Sequence, residues 1–264
     1  MRMAAARVRL LAQSLVCALA CTLVCARTLP AMVGGAPPAG DGVGRAVVML
    51  TGSHGTFCSG VALARDLVLT AAHCVLPGAD YKLVEFDTAR RPLLKDIATI
   101  ARHPDFDVNA VLRHRVTADV ALAKLAAALK VDPALLAQPA GAVVPGDRFV
   151  VAGYGLAVRG DGKSGGTARA ATLVATGTPG TLQIRLADPA TKGERAGLGA
   201  CTGDSGAPVY RDVGGTFAVV GVVSWSTGPA LSDGCGGLTG VTPLARYRAW
   251  IVEQALKLGS PLAP

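Results

Sequence analysis

The sequence predicts an all-β fold. Many short apolar runs are separated by turn residues, as expected for a barrel or a sandwich. The chain of 264 residues contains 33 Gly and 16 Pro, which suits many strands joined by tight turns. Hydrophobic residues make up 51% of the chain, so it can bury a large core. Helical spacing is convincing in one segment, close to the carboxyl end.

The predicted strands share a pattern of four or so apolar or alternating residues between turns. In chain order they cover residues 46–50, 61–63, 67–70, 120–125, 149–152, 181–186 and 217–225. Residues 160–166 are rich in glycine and predict a surface loop. The segment 245–258 predicts a helix, with Tyr247, Trp250 and Ile251 near helical spacing. We expect that stripe to dock on the barrel.

The first residues predict an export signal rather than a part of the fold. Arg2, Arg7 and Arg9 precede residues 10–26, which carry no charge. Residues 1–26 are therefore interpreted as a signal peptide, with cleavage after Ala26 or after Ala31. A membrane anchor is the alternative, although the apolar run is short for a span of about 20 residues. We expect a secreted or periplasmic protein without stable membrane association.

Charge and cysteine content narrow the function classes. The formal net charge is +8, and loss of the four arginines in the first 31 residues halves it. No Lys/Arg cluster remains to favour nucleic-acid binding. Three of the seven cysteines lie in the predicted signal, which leaves Cys58, Cys74, Cys201 and Cys235. These four allow two disulfides in any of three pairings, and their spacing indicates no metal site. No cofactor is expected.

Three segments carry residues suited to nucleophilic catalysis. They are Thr-Ala-Ala-His-Cys at 70–74, the apolar segment 119–125 that begins with Asp119, and Gly-Asp-Ser-Gly at 203–206. A serine hydroxyl needs a base, and the base needs an acceptor to orient it. Histidine suits the base role because its ordinary pKa is about 6.5. Glycines beside Ser205 allow a tight turn that aims backbone N–H groups at a developing oxyanion.

Each segment alone has an ordinary structural explanation. A histidine after a strand is commonly structural, and Gly-Asp-Ser-Gly occurs in ordinary loops. Asp66, Asp105 and Asp107 compete with Asp119 for the carboxylate role. The case for catalysis depends on the three segments occurring together in one order.

The chain resembles the chymotrypsin/trypsin family of serine peptidases. Residues 70–74, 119–125 and 201–208 are similar to that family's histidine, aspartate and serine motifs. The chain order His, Asp, Ser fits, whereas α/β-hydrolases and subtilisins have other orders. Further similar segments lie at residues 32–35, 103–104, 153–155 and 224–226, so the resemblance covers nearly all of residues 32–264.

The resemblance implies two six-stranded antiparallel β-barrels, a C-terminal helix and an active site between the barrels. His73 would be the general base and then the general acid, Asp119 would orient it, and Ser205 would form an acyl-enzyme. Backbone N–H groups of Gly203 and Ser205 would form the oxyanion hole. The implied disulfides are Cys58–Cys74 and Cys201–Cys235, each worth roughly 2–4 kcal/mol.

The resemblance also implies an activation pair, formed by a new amine at Met32 and the carboxylate of Asp204. Cleavage after Ala31 would then activate the enzyme. The residues implied to line the specificity pocket are Gly199, Ala200, Ser226 and Gly240. Without a carboxylate at the base, the pocket is expected to prefer an apolar side chain over Arg or Lys. The expected partners are protein or peptide substrates and proteinaceous inhibitors, and a monomer is expected.

Two other functions stay open at this point. A catalytically inactive homologue would act as a secreted binding module, but such a protein would be expected to lack one of the three catalytic residues. A secreted esterase would use the same triad, although the chain order disfavours the common esterase fold.

Overall fold

The computed structural model describes residues 32–262 except for 41, 88, 90, 114 and 140. The predicted signal peptide, residues 1–26, and the cleavage point at Ala31 lie outside the described residues. The described elements are mostly strands, β1 to β13, with few helices. The prediction of an all-β fold is therefore confirmed.

The first six strands form a closed antiparallel barrel. They are β1 (Val47–Gly52), β2 (Phe57–Ala64), β3 (Leu67–Thr70), β4 (Tyr81–Phe86), β5 (Pro92–Arg102) and β6 (Ala121–Leu125). Their order around the barrel is β1-β2-β3-β6-β5-β4. Alternate side chains point inward, and Leu50, Val68 and Leu83 are completely buried in the barrel interior.

Six further strands form the second barrel. They are β8 (Arg148–Gly153), β9 (Arg169–Thr176), β10 (Ile184–Ala187), β11 (Pro208–Val213), β12 (Thr216–Ser226) and β13 (Leu238–Pro243). The order β11-β8-β9-β10-β13-β12 closes through the pairing of β11 with β12. The prediction of two six-stranded antiparallel barrels is confirmed. A two-residue strand, β7 (Leu135–Leu136), adds to β12 in parallel.

Several strands were not visible as apolar runs in the sequence. The 11 residues of β5 are all exposed or half-buried, so no continuous apolar run marks this strand, although Ile97 and Ile100 pack against the barrel core. The strands β4, β9, β11 and β13 mix polar and apolar residues and were also missed. The segment predicted at 181–186 overlaps β10, which begins three residues later, at Ile184, and ends one residue later, at Ala187.

The C-terminal helix is confirmed, as α2 (Arg248–Lys257), and it is shorter than predicted. Residues 244–247 form a turn instead, in which the N–H of Tyr247 donates to the C=O of Leu244. Tyr247 and Trp250 enclose the ring of His103, with ring centroids 5.0 and 4.9 Å away. A five-residue helix, α1 (Val108–Leu112), precedes β6 and was not predicted.

The two barrels share a hydrophobic core. Val61, Leu69 and Leu122 of the first barrel are buried in one cluster with Val222 of the second and Ile251 of α2. This contact explains how residues distant in sequence meet between the barrels. Over the described ranges, no helix combines the length and hydropathy needed to cross a membrane.

Candidate active site

Two of the predicted catalytic residues lie at adjacent strand ends of the first barrel. His73 is in a 3-10 turn, Ala72–Val75, directly after β3. Asp119 lies two positions before the first residue of β6. Because β3 and β6 pair in antiparallel register, with Thr70 opposite Ala121, the end of one strand meets the beginning of the other.

The carboxylate of Asp119 contacts His73 twice. Its Oδ2 lies 2.8 Å from Nδ1 of the imidazole, and its Oδ1 accepts the backbone N–H of His73 at 3.0 Å. The Asp119 side chain is fully buried, whereas 20% of the His73 side chain is exposed. A proton on Nδ1 would complete the ring hydrogen bond and leave Nε2 able to accept a proton.

A third residue supports this carboxylate from the other barrel. Oγ of Ser224, on β12, donates to Oδ2 of Asp119 at 2.5 Å. Ser224 lies in the segment 224–226 that resembles the peptidase family, and the sequence predicts no role for it. The two residues are 105 positions apart, so the motif was the single sequence signal that could have pointed to it.

Ser205 comes from the loop before β11 in the second barrel. The partly exposed Ser205 and His73 line one cleft, together with Thr56, Phe57, Cys58, Cys201, Thr202, Gly203, Val223, Trp225 and Ser226. The hydrogen bonds of the described residues include none between the Ser205 hydroxyl and the His73 ring. Such contacts are often long in unliganded enzymes and tighten with substrate bound.

The backbone around Ser205 leaves two donors unused. The N–H groups of Gly203 and Ser205, both in residues lining the cleft, donate to no group in the described part of the chain. Gly203 has a φ of +94°, and a Cβ there would collide with the ring of Phe57. This position therefore requires glycine. The two free donors are suited to bind an anionic oxygen.

Asp204 points away from the cleft into the second barrel. Its carboxylate accepts backbone N–H groups of Gly155 and Cys201, each at 2.9 Å. Burial raises the pKa of Asp204 to about 7, although these two hydrogen bonds oppose the rise. Met32 is fully buried in an apolar cluster with Ala200 and Ala207, on either side of the catalytic loop. In the unprocessed chain its nitrogen is an uncharged amide.

The residues assigned to the specificity pocket are only partly gathered at the cleft. Ser226 lines it, and its hydroxyl donates to the C=O of Gly234 at 3.2 Å. Gly199 forms a bridge with Val33, and Ala200 is 1% exposed. The indole of Trp225 lies where a Cβ on Gly240 would project. Gly199, Ala200 and Gly240 are not among the described residues that line the cleft, whereas Trp225 is.

Both implied disulfides are present, Cys58–Cys74 and Cys201–Cys235. The first places Sγ of Cys74 3.8 Å from Nε2 of His73. Cys58, His73 and Cys74 form a cluster whose ligand atoms all lie within 4.8 Å of one another. Because the two sulfurs are bonded to each other, neither supplies the thiolate that a metal would need.

Comparisons with known proteins agree with this architecture. The sequence model of a protein family described as Trypsin matches residues 32–251. The chain is 29% identical over 227 residues to a vitellin-degrading protease of Bombyx mori, covering 80% of each protein. It is also similar to a solved structure described as the atomic resolution structure of HBP. That match has a TM-score of 0.65 and 22% identity, and it covers 88% of this chain and 100% of the other.

Proposed function

Because the chain belongs to the trypsin family of peptidases, we propose that it is a serine endopeptidase with Ser205, His73 and Asp119 as its catalytic triad. The observation that carries this proposal is the buried Asp119 carboxylate, which holds the His73 imidazole at the wall of the cleft that Ser205 also lines. Its substrates are proteins or peptides.

The proposed reaction proceeds in two halves. Nε2 of His73 accepts the hydroxyl proton as Oγ of Ser205 bonds to the peptide carbonyl carbon, and Asp119 stabilises the imidazolium. The negative oxygen of the tetrahedral intermediate is bound by the N–H groups of Gly203 and Ser205. The C–N bond then breaks, and His73 gives its proton to the departing amine. Water attacks the ester in the same way and releases the acid and Ser205.

Selective labelling tests the nucleophile. A fluorophosphonate probe should label the purified protein and fail to label Ser205→Ala. Parallel assays on peptide and ester substrates separate an endopeptidase from an esterase. A folded wild-type protein that neither reacts with the probe nor cleaves any peptide would overturn the proposal in favour of an inactive binding module.

For activation we propose that cleavage after Ala31 frees the amine of Met32 to pair with Asp204. The buried carboxylate with its raised pKa supports this, since a cation would offset the cost of ionising it there. Met32 already packs beside Ala200 and Ala207. Sequencing the amino terminus of the active protein tests the idea. Full activity in a form that begins at Arg27 would contradict it.

For specificity we propose an apolar side chain before the cleaved bond. No Asp or Glu is among the described residues that line the cleft, so nothing there favours Arg or Lys. A peptide-library cleavage profile dominated by Arg or Lys would contradict this. Export through the signal at residues 1–26, a monomeric state and control by proteinaceous inhibitors are part of the same proposal. Fractionation of the producing cell and light scattering test the first two.

A further inference from the structure

Ser59 is a buried residue to which the catalytic scheme assigns no role. It follows Cys58 in β2 of the first barrel, and its exposed fraction is 0%. A hydroxyl in such a place must find hydrogen-bond partners, because an unpaired buried polar group destabilises the folded chain. Its partners all belong to segments around the cleft.

The hydroxyl of Ser59 links two loops of the second barrel. Oγ donates to the C=O of Gly203 at 2.8 Å and accepts the N–H of Tyr154 at 2.9 Å. The backbone N–H of Ser59 donates to the C=O of Ser205, also at 2.8 Å. One residue of the first barrel thus contacts both ends of the segment Gly203–Ser205.

The direction of the N–H of Gly203 depends on the two peptides on either side of this residue. In a trans peptide the C=O and N–H lie in one plane and point in opposite directions. The plane before Gly203 is held by the N–H of Leu156, which donates to the C=O of Thr202 at 2.8 Å. The plane after Gly203 is held by Oγ of Ser59, and also by the N–H of Asp204, which donates to the C=O of Cys201 at 2.9 Å. Glycine has no Cβ, so the two peptide planes beside it rotate more freely than at other residues. At Gly203 these hydrogen bonds must therefore limit the rotation.

The second donor is held in a similar way. The C=O of Asp204 accepts the N–H of Ala207 at 2.9 Å, which orients the peptide that carries the N–H of Ser205. That peptide and the peptide that carries the N–H of Gly203 each have a backbone anchor, whereas the C=O of Gly203 itself accepts from the side chain of Ser59. Among the contacts that hold the backbone around Gly203, the one from Ser59 comes from a side chain and can be removed by substitution.

We propose that Ser59 is a positioning residue that holds the backbone of Gly203 from its C=O side, so that the N–H of Gly203 stays directed toward the oxyanion of the tetrahedral intermediate. This inference rests on the proposed peptidase function. Ser59 does not touch the reacting atoms and acts through the Gly203 peptide. Its effect should be larger on the transition state than on the bound substrate, because the oxygen becomes negative only as the tetrahedral intermediate forms.

The test is Ser59→Ala, which removes Oγ and keeps the backbone N–H. Loss of a direct oxyanion donor lowers kcat about 10²–10³-fold, so loss of its anchor should lower kcat per titrated active site about tenfold or more. KM for a peptide amide should change less than about twofold. A peptide aldehyde, which forms a tetrahedral adduct with Ser205, should bind more weakly by the factor that kcat falls. Ser59→Thr, which restores the hydroxyl, should recover most of the loss.

Ser260→Ala is the matched control. Ser260 is 5% exposed, and its hydroxyl donates to Asp66 at 2.7 Å at the end of the chain, away from the cleft. This variant should lose stability and keep kcat per active site. Ser59→Ala that keeps both kcat and aldehyde affinity would overturn the inference, as would a loss of activity explained entirely by fewer titratable sites. If the wild type itself fails to cleave peptides or to react with the fluorophosphonate, the proposed function fails instead.

Discussion

Asp119 binds both the ring and the backbone of His73, so one buried carboxylate determines the position and the orientation of the imidazole. The ring contact orients Nδ1, and the backbone contact at 3.0 Å places the residue itself. With Ser224 as a third partner, the carboxylate has donors from both barrels. The loss of its negative charge should therefore affect catalysis far more than the fold.

Asp119→Asn should lower kcat about 10⁴-fold, because the amide group favours the wrong tautomer of the histidine. Steady-state kinetics on a peptide substrate, normalised to folded protein, measures the effect. The matched control is Asp66→Asn, a competing carboxylate in the sequence. Asp66 is bound to Lys124 and Ser260 outside the cleft, and its loss should leave kcat unchanged. Equal losses in the two variants would contradict the assignment of Asp119.

Asp204 should make stability depend on pH in a way that processing removes. Burial raises its pKa from 3.8 to about 7, so the folded, unprocessed chain holds a proton that the unfolded chain releases. Its free energy of unfolding should therefore fall as pH rises through this window. In the form beginning at Met32, the amine favours the ionised carboxylate, and the fall should be smaller or absent.

Urea unfolding at about pH 4 and about pH 8 measures this difference, in a Ser205→Ala background that prevents self-digestion. Asp204→Asn in the unprocessed chain is the control, since it removes the titrating group and should remove its share of the pH dependence. Identical pH dependence in the processed and unprocessed forms would argue against the Met32–Asp204 pair.

Gly203→Ala should lower kcat at least about 100-fold, because the new methyl group would collide with Phe57 and displace an oxyanion donor. Gly55→Ala is a matched comparison. Both glycines have positive φ, +94° and +78°, but a Cβ on Gly55 meets no atom within 4 Å. The control should lose about 1–2 kcal/mol of stability and retain kcat. Similar kcat in both variants would exclude a role for Gly203 in catalysis.

Removal of the Cys58–Cys74 disulfide should destabilise the first barrel. The bridge closes a sequence separation of 16 residues, for which chain entropy predicts about 3 kcal/mol. The double variant Cys58→Ser with Cys74→Ser should lower the urea midpoint of unfolding accordingly. It should also lower kcat, because Cys74 lies next to the His73 ring. The corresponding double variant at Cys201 and Cys235 provides the comparison. An unchanged midpoint in the first variant would refute this prediction.

The sequence predicted the fold through segments that are apolar in their own right. Strands such as β3 and β12 bury most of their residues and stand out in the chain, whereas β5 has an exposed face and no apolar run. The helix α2 was predicted because Tyr247, Trp250 and Ile251 fall near helical spacing. The beginning of the helix was predicted too early. Residues 244–247 form a turn, closed by the hydrogen bond from Tyr247 to Leu244, and residue spacing does not reveal that bond.

The candidate site could be predicted only where its residues lie in short motifs. His73, Asp119 and Ser205 each occur in such a motif, and their burial and contacts now support the roles proposed for them. Ser59 and Gly203 are 144 positions apart, and no sequence pattern near Ser59 predicts their contact. The positions of Trp225 and Gly240 likewise depend on how β12 and β13 pair, which the sequence pattern does not specify.

The division of the site between the barrels has a consequence for inactivation by heat. His73 and Asp119 belong to one barrel, and Ser205 and Ser224 belong to the other, so a small slip along their shared apolar contact would separate the reacting groups without melting a strand. On slow warming, turnover should cease while the far-ultraviolet circular dichroism still reports intact β-structure, and cooling at that stage should restore it. The highest temperature at which the enzyme works would then be determined by the contact between the two barrels. Substitutions meant to increase heat resistance should begin at that contact.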